Sequence, residues 1–400
     1  MDFNVDQNLA VGLFVAATAG LLAPLLSEKL RRWVLIPTVV LEILLGILFG
    51  PHVLDWIKPN RILEGLSQVG MAMLFFIAGF ELNLGKMKPR LAGLAASAWL
   101  IAVGVVAAVA ALTGAGHPAL WAIALCSTAL GTVLPIAKDA GALETPVDGP
   151  LKSTGAVGEF GPILLLALFF SHSERSATFT WTLLLIGLAF SVIALSRLRR
   201  SDLVSRVLTA TLGTSAQFAV RLALMALMLS IAVTAVAGVD VALGAMTAGM
   251  LIRLLLTSMK DEDIERVQSK FDAIGYGAFI PVFFVYTGVT FPVDQLWKHP
   301  SSLAMLPLFL VAFLVLRGGL TWLFFARHVD RPHRGALALF ASVELPLVIV
   351  AAQTGLDRGI IDSAQAASLM GAALVSVLLY TLLGLHFLKK AAPKEPTPAE

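Results

Sequence analysis

Apolar residues run along this chain in blocks of about 20, the length an α-helix needs to cross a hydrocarbon core about 30 Å thick. Thirteen such blocks fall near residues 8 to 27, 33 to 50, 65 to 83, 92 to 113, 118 to 138, 149 to 171, 178 to 196, 212 to 237, 240 to 257, 272 to 290, 302 to 326, 334 to 353 and 365 to 388. The pattern predicts an all-α polytopic membrane protein with about thirteen transmembrane helices. Between the blocks there is little else. Residues 259 to 272 predict a short interfacial helix, and residues 391 to 400 a disordered cytoplasmic tail.

Two of the blocks are interrupted by polar and helix-breaking residues at mid-membrane depth. The fifth contains Ser127, Thr128, Gly131, Thr132 and Pro135, and the twelfth contains Ser342, Glu344 and Pro346. Proline removes a backbone donor and frees a carbonyl one turn earlier, so each block predicts a discontinuous helix. The blocks also look duplicated. The pair Phe75 and Phe76 recurs at Phe283 and Phe284, 208 residues later, and Pro135 and Pro346 are 211 apart. That offset spans seven helices, an odd number, so matching helices enter from opposite faces. The chain then divides into a repeat near 8–171, a linker helix near 178–196 and an inverted repeat near 212–388, together one transmembrane domain over 1–390. Matched broken helices in two such halves point to a transporter binding site.

Composition agrees: 58% of residues are hydrophobic and 14% are charged, against about a quarter charged in soluble domains. The net charge of +3 lies in loops, which argues against a nucleic-acid partner. One cysteine, Cys126, excludes an internal disulfide and a cysteine-based metal site. No zinc-protease or phosphate-loop motif occurs, so neither ATP-driven pumping nor intramembrane proteolysis is expected, and no cofactor. The N-terminus has no basic region or cleavage site before its first apolar block, which is expected to be retained as a helix. Twenty-two Lys and Arg residues fall in one set of alternate loops and five in the other. This predicts an outside N-terminus and a cytoplasmic C-terminus in a cell membrane.

Charges inside the apolar blocks are the candidate chemistry. Glu159 sits near mid-membrane in the sixth block, where a carboxylate is costly and is kept to handle an ion or proton; the bland alternative is a hydrogen bond to a neighbouring helix. Glu344 reaches a similar depth in the twelfth and either lines an ion path or caps amides freed by the break. Arg317, in the eleventh, cannot lose its proton and needs an anionic or carbonyl partner, with Glu159 and Glu344 the available acids. Glu42 and Arg221 are expected to form a structural pair away from the site. Thr128, Thr132 and freed carbonyls are candidates to complete the oxygen shell of a monovalent cation bound at Glu159.

PTVVLEILLGILFGP (37–51), LSQVGMAMLFFIAGFELNL (66–84), LGAMTAGMLI (243–252), FIPVFFVYTGVTF (279–291) and RGALALFASVELPLVIVAAQTG (334–355) occur in this order over nearly the whole chain. Together they resemble the membrane domain of the monovalent cation:proton antiporter-2 family. The resemblance implies thirteen helices in two inverted repeats, a transport core moving against a dimerisation scaffold, and a homodimer. It places the ion-binding carboxylate at Glu159, the basic residue of the eleventh helix at Arg317 and the polar crossover positions at Thr128 and Thr132. The residue before that carboxylate is often an acid or amide in the family and is Gly158 here. The basic residue is often Lys and is Arg here, and gating through the cytosolic nucleotide-binding domain of some potassium-efflux members is not expected. The expected function is exchange of Na⁺ or K⁺ for H⁺ by alternating access. It is expected to be electroneutral, because Gly158 removes a second acid and Arg317 cannot carry a proton. The rival readings are a sodium-coupled symporter of an organic solute on the same fold, and a membrane sensor or channel.

Overall fold

The computed structural model describes residues 7–30, 36–82, 88–139, 141–170, 217–237, 240–298 and 300–391. Among them every regular element is helical: α1 (Gln7–Leu30), α2 (Thr38–Phe49), α3 (Arg61–Glu81), α4 (Pro89–Thr113), α5 (Pro118–Leu125), α6 (Leu130–Asp139) and α7 (Asp148–Phe170). There follow α8 (Phe218–Ala237), α9 (Val241–Leu255), α10 (Asp261–Ile274), α11 (Ile280–Val289), the short α12 (Val293–Lys298) and α13 (Pro300–Phe313). Last come α14 (Leu320–Phe324), α15 (Arg331–Ala341), α16 (Pro346–Asp357) and α17 (Ser363–Ala391). Nine helical stretches among the described residues are long and apolar enough to cross a membrane, with three shorter apolar ones at Thr38–Phe49, Pro118–Leu134 and Val241–Leu255. The expected helix near 178–196 and the tail 392–400 lie outside the described residues.

Two expectations need correction. The segment 259–272 is not a separate interfacial helix: α10 runs through a π-helical turn, Gly275–Phe279, into α11, so residues 261–289 form one continuous helical stretch. The prolines of the two broken helices are also not equivalent. The breaks lie at 126–129 and 342–345, which puts Pro346 at the first position of α16 but Pro135 well inside α6. Proline suits a first helical position because the amide it lacks would have no intrahelical partner there, and that explains Pro346 alone.

Contacts divide the chain into two units, one of Met1–Lys86 with Ile163–Val293 and the other of Met87–Pro162 with Asp294–Glu400. In the first unit, α2 packs on α11 and α3 on α9, and glycines set the spacing. A methyl at Gly46 would collide with the Val285 carbonyl, one at Gly288 with the Ile43 carbonyl, one at Gly79 with the Met246 carbonyl and one at Gly249 with the Phe76 carbonyl. Lipid supplies no hydrophobic force between helices, so close backbone approach over small residues is how they gain dispersion contact. The sequence motifs around these glycines are therefore packing seams. Glu42 is buried in this unit, but its expected partner is not there: α8 begins at Phe218, which puts Arg221 in the first turn with its side chain exposed, and no ion pair joins the two.

In the second unit, α17 packs on α13, α15 and α16, and α5 packs on α4 and α16. Burial sorts the helices. In Ser302–Phe324 only 22% of the most apolar window is enclosed by protein, as suits a face in lipid, whereas in the broken stretch Arg331–Asp357 the figure is 94%. A broken helix exposes backbone polar groups, and these survive at membrane depth only when protein surrounds them.

The glycine seams are testable by melting the purified protein. Gly249→Val forces α3 and α9 apart and is expected to cost on the order of 2 kcal/mol, lowering Tm. Gly104→Ala adds a methyl with nothing within 4 Å and is expected to leave Tm unchanged or slightly raised. Equal behaviour of the two variants would contradict the seam.

Candidate functional site

The second unit brings its two breaks together. The amide of Ala129 donates to the carbonyl of Val343 at 2.8 Å, which joins the extended segments, and the amide of Thr128 donates to the carbonyl of Gly158 on α7 at 3.0 Å. The indole of Trp99 on α4 donates to the Cys126 carbonyl at 2.9 Å. Ser376 on α17 brackets the other break: its hydroxyl accepts from the Glu344 amide and lies 3.1 Å from the Glu344 carbonyl. Several of the backbone groups released by the breaks are thus taken up by neighbouring helices or by the other break, which helps keep a discontinuous chain tolerable away from water. Two half-helix C-termini, at Leu125 and Ala341, and two N-termini, at Leu130 and Pro346, flank the joined segments. They place opposite partial charges around one spot.

Arg317 occupies that centre and is 1% exposed. A π-helical turn, Leu314–Gly319, carries it between α13 and α14. Its Nε donates to the Ser127 carbonyl at 3.1 Å and to Thr128 Oγ1 at 2.9 Å, and its Nη2 donates to Thr128 Oγ1 at 2.7 Å and to the Thr154 carbonyl at 3.1 Å. Its hydrogen-bond partners are therefore carbonyls and a hydroxyl, not the carboxylate of Glu159 or Glu344. The Arg317 side chain also explains Gly158. A methyl there would collide with Nη2 and come within 2.7 Å of Thr128, so the guanidinium fills the space that a second acid would need.

The Thr128 hydroxyl takes both of these bonds from Arg317 and donates its own proton to the Ala341 carbonyl at 2.8 Å. A hydroxyl has one proton and two lone pairs, so Thr128 is saturated. This corrects its expected place in a cation's oxygen shell: it ties Arg317 to both breaks instead. Thr132 is buried on α6 one residue after Gly131.

Glu159 is 5% exposed and twelve residues into α7. Its Oε1 accepts from the Gly131 amide at 3.1 Å, and Gly131 is the second residue of α6. The carboxylate therefore sits at the positive end of a half-helix, on one of the donors that a helix start leaves without an intrahelical partner. Glu344 is fully buried, and its Oε2 accepts from the Ser127 hydroxyl at 3.1 Å. No backbone amide donates to its carboxylate among the described residues, so the capping role is not what the geometry shows. Glu344 links one break to the other. Thr154 and Ser376 carried no sequence signal, because a small polar residue in an apolar helix looks like a packing position.

Removing the guanidinium leaves two carbonyls and a hydroxyl without their charged donor and opens a space beside Gly158. Arg317→Ala is expected to lower Tm, at a cost on the order of 3 kcal/mol. Arg317→Lys keeps the charge but not the fork of donors, and is expected to recover only part of the loss. A melting temperature unchanged in Arg317→Ala would contradict the tie.

Residues 13–390 match the family described as sodium/hydrogen exchanger, transmembrane. The chain is similar to the sodium proton antiporter MjNhaP1 from Methanocaldococcus jannaschii, with a TM-score of 0.65 at 16% identity over 96% of this chain and 98% of that one, a likeness of fold. It is 26% identical to YjbQ of Bacillus subtilis over 97% of its own length and 64% of that protein's. It is 25% identical to the Na(+)/H(+) antiporter of Enterococcus hirae over 92% of its own length and 96% of the relative's. With the Na(+)/H(+)-K(+) antiporter GerN of Bacillus cereus it shares 26% identity over 74% of this chain and 75% of that one. The match over nearly its whole length makes this chain a member of the sodium/hydrogen exchanger transmembrane family, in agreement with the resemblance its motifs carry.

Proposed function

We propose that the protein exchanges a monovalent cation, Na⁺ or K⁺, for H⁺ across a membrane by alternating access, with Glu159 as the single exchangeable site. The observation that carries this reading is the placement of Glu159, a nearly enclosed carboxylate about 17 Å along a spanning helix and held by the first turn of α6. The relatives support the ions, being named for Na⁺ and H⁺ and, for GerN, K⁺ as well.

A carboxylate binds a proton or a cation but not both, so the two ions compete for one site. Either load neutralises it. The unloaded carboxylate keeps its full charge, and carrying that charge through a low-dielectric barrier is costly, so the site crosses loaded in each direction. Exchange follows from that penalty. Arg317 contributes a constant positive charge, because its guanidinium stays protonated throughout the cycle. Thr132 and carbonyls of the broken segment supply the neutral oxygens beside Glu159, and Thr128 serves as the anchor of Arg317. The resulting cycle moves one cation against one proton and is electroneutral.

Proteoliposomes containing a pH-sensitive dye, given Na⁺, K⁺ and Li⁺ in turn, test the assignment. Glu159→Gln keeps the shape of the side chain and its acceptor oxygen for Gly131 but cannot bind a proton or attract a cation, so it is expected to abolish the cation-driven pH change while remaining folded. Exchange at near wild-type rate in that variant would refute the role of Glu159.

A further inference from the structure

The turn at 325–330, which joins α14 to α15, carries a charge pattern that the ion site does not use. Arg327 and Arg331 are exposed there, and Arg334 follows one turn into α15. Lys389 and Lys390 in the last turn of α17 come to the same end. The pairing of the helices shows this, since a methyl at Gly335 would stand 2.8 Å from the Phe387 ring and one at Gly384 would stand 2.6 Å from Phe340, an antiparallel register. Asp330 is the acid of this turn, and its Oδ1 is 2.6 Å from His333 Nδ1. Among the described residues no carboxylate stands within ion-pair distance of any of the five basic side chains.

Two further features of this end bear on what it could bind. The start of α15 has no side-chain cap, the Asp330 carboxylate being engaged with the His333 ring; Pro332 has no amide and the Arg334 amide bonds the Asp330 carbonyl, which leaves the amides of Arg331 and His333 at the positive end of the helix dipole. Arg334 is 9% exposed, with its guanidinium 4.5 Å over the Trp322 ring, and its Nε has no hydrogen-bond partner among the described residues. The Nε edge is enclosed by protein, so an acceptor from outside meets this guanidinium at its terminal nitrogens, and a phosphate is the acceptor whose geometry suits them.

The surroundings select the kind of phosphate. Trp322 lies two residues before the end of α14, and Arg334 is about one turn, or roughly 5 Å, into α15, so both stand just inside the level of the turn. In a spanning helix pair that is the headgroup region, where tryptophan concentrates. Next to Trp322, itself 37% exposed, Leu323 is 64% exposed, an apolar edge suited to acyl chains and not to water. We propose that this end of the second unit binds the phosphate of an anionic phospholipid. Arg334 and Arg331 hold the headgroup, Lys389 and Lys390 add attraction, and Trp322 and Leu323 lie along the acyl chain. The lipid braces α15, the half-helix that leads into the break carrying Glu344.

The test is thermal melting of the purified full-length chain in a neutral detergent, titrated with dioleoyl phosphatidylglycerol, dioleoyl phosphatidylcholine or inorganic phosphate. Phosphatidylglycerol is expected to raise Tm saturably, and the other two are not. Arg334→Gln and Arg331→Gln are each expected to shift the half-effective concentration of phosphatidylglycerol upward by about tenfold, while Arg61→Gln, at an unrelated exposed position, titrates like wild type. Should Arg334→Gln fail to fold, Arg331→Gln and the double change Lys389→Gln with Lys390→Gln decide the matter. Wild-type titration in the foldable site variants, an equal shift in Arg61→Gln, or an equal Tm rise with inorganic phosphate would each overturn the proposal.

Discussion

The hydrogen bonds of the Arg317 guanidinium are the constraint on which the centre of the second unit depends. They reach the Ser127 carbonyl and the Thr128 hydroxyl in one break and the Thr154 carbonyl in α7, and Thr128 passes the connection to the Ala341 carbonyl at the other break. A cation in that position suits the C-terminal ends of two half-helices, and its four donor contacts take up acceptors that would otherwise be stranded in a dry interior. The same guanidinium fills the space beside Gly158 and so leaves no room for a second acid next to Glu159. In the proposed one-site cycle, packing at this glycine is what keeps the site to a single acid.

Glu159 and Glu344 differ by environment. Glu159 meets the N-terminus of α6 through a backbone amide and keeps a little exposure, whereas Glu344 is fully enclosed and bound to Ser127 and, through its backbone, to Ser376. An exchangeable site needs access, and a structural cross-link needs enclosure. The geometry therefore sets apart two carboxylates that reach similar depth in the chain, one at a helix start and one tied to Ser127, and the proposed exchange uses the first.

Much of the architecture was legible from periodicity alone, because a 20-residue apolar block has few physical outcomes other than a spanning helix. The broken helices were legible too, since Ser127, Thr128 and Gly131 in one block and Ser342 and Glu344 in another are dear to place in lipid. Where each break falls was not. Pro135 looked like the breaking residue but lies inside α6, because hydrogen bonds to Trp99, Gly158 and Val343 from other parts of the chain, not a local proline, stabilise the extended segment at 126–129. The expected pairing of Arg221 with Glu42 failed because the apolar block that holds Arg221 starts earlier than its helix does. The misreading of Thr128 has the same origin: its residue type suits a cation ligand, but its lone pairs are committed to Arg317 by a contact 189 residues away.

The central claim is that one titrating carboxylate and one permanently charged arginine make the exchange electroneutral. The most direct measurement clamps a membrane potential across proteoliposomes at fixed pH gradient and finds the cation ratio at which net proton flux vanishes. Each net charge moved per cycle would couple to the potential by about 2.3 kcal/mol per 100 mV, a displacement well within detection. The account predicts a reversal ratio that does not move with voltage. A ratio that shifts with the applied potential would mean that a second group, with Glu344 the nearest candidate, also carries protons, and would contradict the single-site cycle.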